Sequence, residues 1–223
     1  VARGVAYVNI HTIPNWAPPV HPLDKALNPF RRKHGLEGDF VVTYSGNMGL
    51  AHDFDTLLGA TGELLGRHVV FLVIGDGPRR SEVEGEAARR GLDNIRFLPG
   101  QPAEKLSESL SAADAHLVTM RMNLCGLVVP SKIYGVLAAG RPCLFVGPGD
   151  SEAARLIVES KAGGVIEPGK SSALAGAILD WVLDPAEHAA ACRRARIAGS
   201  LLTSKAAVDD FNEMLGNLLP QKP

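Results

Sequence analysis

The residue types best suited to chemistry lie in GLVVPSKIYGVLAAGRP, residues 126–142. An apolar run meets Pro130, and the chain then reads as a helix from about Ser131 to Ala139. Proline is tolerated at a helix start because its missing N–H would have had no intrahelical partner. Ser131 and Lys132 therefore fall on the first turn, with free backbone amides, a hydroxyl and an ammonium group together. A helix amino end carries about half a positive charge and attracts anions by ~0.3–2 kcal/mol, so this arrangement makes a phosphate site. The competing reading makes Ser131 a helix cap and leaves Lys132 solvated. Dipole direction disfavours it slightly, because a cation is the wrong sign for an empty amino end.

Other polar and glycine residues gather after the apolar runs. In SGNMG (45–49), Gly46 and Gly49 would let a ligand approach the backbone. A plain strand-to-helix turn explains the segment equally well, and it is not a GxGxxG fingerprint. Asp53 reads as a helix cap rather than an acid catalyst; His52 beside it either reaches a ligand or is solvated. GDGP (75–78) suits a turn, and Arg79 and Arg80 read as surface residues opening the next helix. Arg121 follows an apolar run and is a candidate phosphate or sugar contact. The seven histidines show neither HxH nor HExxH spacing, so no metal site is expected. A GxSxG elbow is also missing.

The elements that must position these residues follow from periodicity. Residues 1–39 carry Pro14, Pro18, Pro19, Pro22 and Pro29 and read as an extended lead-in with one short helix around Pro22–His34. From Phe40 to about residue 203 six apolar, β-branched runs alternate with helical patterns: FVVTYSG, HVVFLVIGDGP, NIRFLPG, AHLVTM, PCLFVG and GGVIEPG. Short strands apolar on both faces mean a parallel sheet with helices on both sides, a doubly wound, Rossmann-like α/β fold. GGVIEPG is expected at an edge. Residues 204–223 contribute a last helix. Ligands of such sheets bind beyond the carboxyl ends of the strands, which is where the candidates above lie.

Composition sets outer limits. The 223 residues are 46% hydrophobic and 21% charged, ordinary for a globular protein. A net charge of −1 argues against nucleic acid as a partner. Cys125, Cys143 and Cys192 form no CxxC pair and read as reduced core cysteines of a cytosolic protein. No apolar run reaches the ~18 residues of a membrane span. The chain begins at Val1 without a leader pattern and is expected to be a piece of a longer protein.

Over residues 12–215 the ordered series resembles the C-terminal, donor-binding half of GT-B glycosyltransferases, specifically the retaining family 4 enzymes of bacterial surface polysaccharides. It is carried by TIPNWAPP, FVVTYSGNMGLAHDFDTLLGA, VVFLVIGDGPRR, NIRFLPGQPAEKLSESLSAADAHLVTM and VVPSKIYGVLAAGRPCLFVG. The resemblance implies a nucleoside-diphosphate sugar, with UDP the common nucleotide of the family, at the carboxyl edge of the sheet. Its base and ribose would meet Leu98, Pro99, Gly100, Gln101 and Gly135. Its diphosphate would meet the amides of Gly46, Asn47, Met48 and Gly49, with Ser131, Lys132 and Arg121. Transfer would proceed with retention and without a bound metal or other cofactor, the nucleotide sugar being a substrate. The diphosphate would be stabilised instead by amides, helix dipole and cation.

Two departures stand out. Family members carry two glutamates eight positions apart, and here those positions are Leu127 and Gly135. The basic residue that follows the first glycine loop is also missing, with His52 and Asp53 nearby. The resemblance further implies an N-terminal acceptor-binding domain or separate subunit, reached through the interdomain lead-in and covered by 204–223. The expected setting is cytoplasmic, with peripheral contact to the inner membrane through that domain left open. Catalytic residues are not identified. The chain by itself is expected to bind donor without transferring sugar. Alternatives are a nucleotide-sugar epimerase of the same fold and a non-catalytic nucleotide-binding subunit of a split enzyme.

Overall fold

The computed structural model describes residues 11–218; the outer parts of the expected lead-in and of the final segment, 1–10 and 219–223, lie outside them. A short helix α1 (Pro29–Lys33) precedes β1 (Phe40–Ser45), α2 (Asp55–Glu63), β2 (Val69–Ile74) and α3 (Arg80–Arg89). The chain continues through β3 (Ile95–Leu98), α4 (Leu106–Ser111), β4 (Ala115–Thr119), α5 (Lys132–Ala138) and β5 (Cys143–Val146). It ends with α6 (Glu152–Ser160), β6 (Gly163–Ile166), α7 (Ser171–Leu183), α8 (Pro185–Leu201) and α9 (Ser204–Leu218).

The six strands form one parallel sheet in the order β3-β2-β1-β4-β5-β6. Strand side chains alternate between faces with a period of two, and the core divides accordingly. Val42 and Tyr44 of β1, Leu117 of β4 and Leu144 and Val146 of β5 pack with α2 and α7 on one face. Val118, Cys143 and Phe145 turn to α5, α6 and α8 on the other. Because both faces are covered, β2 is buried at all six positions, as the apolar runs require. The connections leave β1 towards β2 on one side, while β4 runs on to β5 on the other. That reversal opens a crevice at the carboxyl ends of β1 and β4.

The lead-in differs from its sequence reading. In place of one helix over Pro22–His34 there is a 3-10 turn at Lys25–Leu27 capped by Asp24, then α1 capped by Asn28. Phe30 and Leu36 are buried against Val41, Val70 and Leu72, so the sheet unit begins before residue 40. The reason is electrostatic as well as apolar. Asp114, fully buried before β4, accepts from Arg31 Nη1 at 2.9 Å, Lys25 Nζ at 2.6 Å and the Val41 amide at 2.9 Å. The Arg31 guanidinium also donates to the carbonyls of Ala112, Leu36 and Asp39. Burial pushes the Asp114 carboxyl up, but Arg31 and its other partners hold it below the usual range.

The cysteines are all free. Only Cys143 is a core residue, its thiol pushed up to about 12 by burial; Cys125 and Cys192 are half-buried rather than interior. Among the described residues no helix is long and apolar enough to cross a membrane.

Candidate functional site

Lys132 opens α5, and its side chain leaves the helix to cross to the end of β1. Its Nζ donates to Tyr44 Oη at 2.6 Å, to the Asn47 carbonyl at 3.3 Å and to His52 Nε2 at 3.1 Å. Nζ also lies 4.3 Å from the Tyr44 ring centroid, within cation–π range. Burial lowers the ammonium to about 8. The helix has only seven residues, and Ser131 precedes it exposed and without a capping bond. The cation thus reaches the ligand side through its stem, and the resolved conflict at the helix end is a three-acceptor cage.

Glycine is required for that crossing. Gly46 has φ +136°, and a Cβ there would lie 2.3 Å from Lys132 Cε. Beyond it, a Cβ on Gly75, with φ +131°, would meet the Gly46 carbonyl at 2.2 Å. The two strand ends close on each other here, and Gly46 leaves the gap through which the lysine passes.

The amide cradle expected of residues 46–49 is only partly available. The Gly46 amide donates to the Ile74 carbonyl and that of Met48 to the Asp76 carbonyl, both at 2.8 Å. Met48 is fully buried. These two amides extend the β1–β2 pairing into the loop and are not free for a phosphate. Asn47 is exposed and offers its carbonyl to Lys132; Gly49 packs near the Asn47 and His52 side chains.

Gly46, Ser131, Lys132 and Gly135 come together along one groove of about 290 Å³, with Ser45 and His116. No carboxylate lines it. Gly135 is buried, and a Cβ there would touch Leu110 Cδ1 at 3.5 Å. His116 stays neutral because burial pushes it down to about 4. The other expected contacts lie apart from this groove. Leu98–Gln101 follow β3, two strands from β1, where the Leu98 carbonyl accepts from the Gly75 amide. Gln101 Nε2 folds back onto the Pro99 carbonyl at 2.8 Å. Arg121 is exposed after β4, its amide fixed to the Ala51 carbonyl at 2.9 Å.

Several residues matter more than their sequence reading allowed. Tyr44, read as strand core, donates from Oη to the Asn47 carbonyl at 2.7 Å and accepts from Lys132; burial raises its pKa, so it keeps its proton. His52 is not solvated. Its Nδ1 lies 2.7 Å from the Thr119 carbonyl, which can only accept, so the proton is on Nδ1 and Nε2 presents a lone pair to Lys132. Burial and then the Lys132 charge lower its pKa.

Arg79 and Arg80 are not surface residues. Arg79 is 7% exposed, lies over the Phe54 ring and donates to the His52 carbonyl at 3.1 Å. Arg80 ties the Leu98 carbonyl to Asp76 at 3.0 and 3.1 Å. Asp53 accepts from the Thr56 amide at 3.3 Å and so caps α2. Among the described residues no group of three or more His, Cys, Asp or Glu side chains is placed to hold a metal ion.

Known proteins place this geometry in context. The sequence model of the family described as glycosyl transferases group 1 matches residues 28–198. WcaI of Escherichia coli (strain K12), assigned as a glycosyl transferase of colanic acid biosynthesis, is 28% identical over 196 residues, covering 86% of the chain and 48% of WcaI. WbjE of Pseudomonas aeruginosa, assigned as a glycosyltransferase, is 31% identical over 165 residues, covering 73% of the chain and 41% of WbjE. The chain therefore spans about half the length of these relatives or less. Among solved structures, Anabaena HepE in complex with UDP-glucose matches with a TM-score of 0.71 at 20% identity, covering 88% of the chain and 56% of HepE. WaaG, a glycosyltransferase involved in lipopolysaccharide biosynthesis, matches with a TM-score of 0.66 at 21% identity, covering 87% of the chain and 54% of WaaG. Both likenesses concern the fold.

Proposed function

We propose, from the premise that this chain belongs to the glycosyl transferases group 1 family, that it is the donor-binding half of a retaining, family 4 glycosyltransferase of GT-B architecture. Its ligand is a nucleotide sugar, and UDP is the nucleotide we favour because HepE, of the same fold, was solved with UDP-glucose. The observation that carries this reading is Lys132. A half-buried ammonium group sits at the carboxyl-end crevice of the sheet, beside a groove lined by no carboxylate. A diphosphate is the anion that such a position in this fold takes up.

In this reading Lys132 holds the diphosphate and stabilises the negative charge that grows on it as the sugar departs. The exposed amide of Asn47 and the Ser131 hydroxyl complete the phosphate contacts, and Arg121 supplies charge from the end of β4. The base lies towards Leu98–Gln101. The absence of side-chain carboxylates from the groove leaves the ribose to backbone groups near Gly135. The acceptor site belongs to a further domain or subunit, and α9, with Val208, Phe211 and Leu215 exposed, faces it. Polysaccharide assembly is the setting that WcaI's assignment to colanic acid biosynthesis supports, and the cytoplasm is the compartment we propose for it.

Calorimetric titration with UDP, GDP, ADP and NAD tests the reading. Saturable binding of one nucleoside diphosphate in preference to the others supports it, and preference for NAD overturns it.

A further inference from the structure

Resting on the donor reading above, we propose that His52 is a second phosphate ligand, neutral in the free chain and protonated as the diphosphate arrives. The argument starts from hydrogen-bond capacity. An ammonium group has three protons, and those of Lys132 already have three acceptors: Tyr44 Oη, the Asn47 carbonyl and His52 Nε2. A diphosphate brings only acceptors, so it must displace one of them.

The three are not equally replaceable. Tyr44 Oη is the shortest contact and is itself fixed by donating to Asn47 at 2.7 Å. The Asn47 carbonyl retains that Tyr44 hydrogen when Lys132 withdraws, and is the longest contact at 3.3 Å. His52 Nε2 has Lys132 as its one donor among the described residues, since Nδ1–H is engaged with Thr119. Wherever the phosphate enters this corner, it meets a bare imidazole lone pair close to the ammonium. Anion against lone pair is repulsive, and one proton on Nε2 converts it into a charge-assisted hydrogen bond. The imidazolium then donates from both nitrogens, to Thr119 and to phosphate.

The groups facing His52 come from five segments. Lys132 approaches from α5, Tyr44 from β1 with ring centroids 5.7 Å apart, and Phe54 packs edge-on at 6.2 Å. Arg79, ahead of α3, donates to the His52 carbonyl, and Thr119 comes from β4. Asp53, next in sequence, is turned to the cap of α2. Arg121 approaches through the hydrogen bond that its backbone amide donates to the Ala51 carbonyl. In the free chain burial and the Lys132 charge keep the ring neutral; a bound dianion reverses the sign of the local field.

Nitrogen-detected NMR of the imidazole groups in the full 223-residue chain tests this directly. The probes are UDP-glucose, GDP-mannose and ADP-glucose, whose diphosphates carry no titrating proton near neutrality. His52→Gln identifies the signal and removes the titrating group. The expected free chain shows His52 as the Nδ1–H tautomer, titrating below the ordinary value of about 6.5, and the bound chain shows it above that value. Affinity of the wild type then rises as pH falls from 8 to 6, by at most about tenfold per unit for one proton taken up, and His52→Gln leaves only the roughly twofold rise that recharging of Lys132 below pH 8 supplies. Binding of a probe with His52 still neutral, and with a wild-type affinity rise no larger than that of His52→Gln, overturns this inference and leaves the donor reading standing. Failure of all three probes to bind overturns the donor reading, and this inference with it.

Discussion

A Cβ on Gly46 would fall 2.3 Å from Cε of Lys132: the glycine at the end of β1 and the lysine at the start of α5 share one passage. Gly46→Ala therefore does two things. The methyl group pushes the flexible lysine stem out of its cage, and φ +136° becomes a strained conformation for a residue with a side chain, costing on the order of 1–3 kcal/mol. Urea melts should show that loss, and calorimetry should show nucleotide affinity reduced as far as removal of the lysine reduces it. Unchanged affinity would mean that the lysine does not need the gap.

Lys132→Ala tests the cation itself. A hydrogen bond to a charged group contributes roughly 1.5–3 kcal/mol, so affinity for the preferred nucleoside diphosphate should fall by about tenfold or more. The fold should survive, because Lys132 lines a groove at the strand ends and is not part of the apolar core. Equal affinity in wild type and variant would remove Lys132 from the site.

Raising the pH should act on the same group. Burial brings the Lys132 ammonium down to about 8, against about 10.4 in an unfolded chain. Between these values the unfolded chain holds a proton that the folded chain has released, so this group's contribution to stability increases with pH across the window. Donor affinity runs the other way and should decline above pH 8, as the cation is lost. Affinity measured from pH 7 to 10 checks this; a curve that is flat through pH 9 contradicts it.

At the amino end of the sheet, Asp114→Asn should be severe. It leaves the Arg31 guanidinium, 6% exposed, without its carboxylate, and breaking a buried ion pair typically costs about 3–5 kcal/mol. In the wild type the carboxyl is held below its unfolded value, so its stabilisation is complete above about pH 4 and is lost as pH falls through the lower folded value. Chemical denaturation of both proteins at pH 7 and pH 3 measures this. The gap between them should narrow at the lower pH.

Much of the fold was legible because strand burial is written into local sequence. VVFLVI, a short apolar run rich in β-branched residues and closed by a glycine turn, reads as a strand covered on both faces, and its flanks follow from helical spacing. The lysine was legible for a related reason: a cation on the first turn of a helix conflicts with the local field and calls for an explanation. Its cage was not legible. Tyr44 in a strand looks like core, and a single histidine in a loop looks solvated, until the parallel sheet places Thr119 beside His52. Arg79 and Arg80 resembled surface residues because their partners, the carbonyls of His52, Gly75 and Leu98, belong to other strand ends. The amides of Gly46 and Met48 looked available because only the β1–β2 register shows them already bonded to Ile74 and Asp76.

The most direct measurement is a crystal structure of the chain with UDP bound. The diphosphate should lie at the carboxyl-end crevice with an oxygen about 3 Å from Lys132 Nζ, and with uracil directed towards Leu98–Gln101. A diphosphate seated elsewhere, such as the groove of about 690 Å³ between Arg141 and α8 near the amino ends of β4 and β5, would contradict the account.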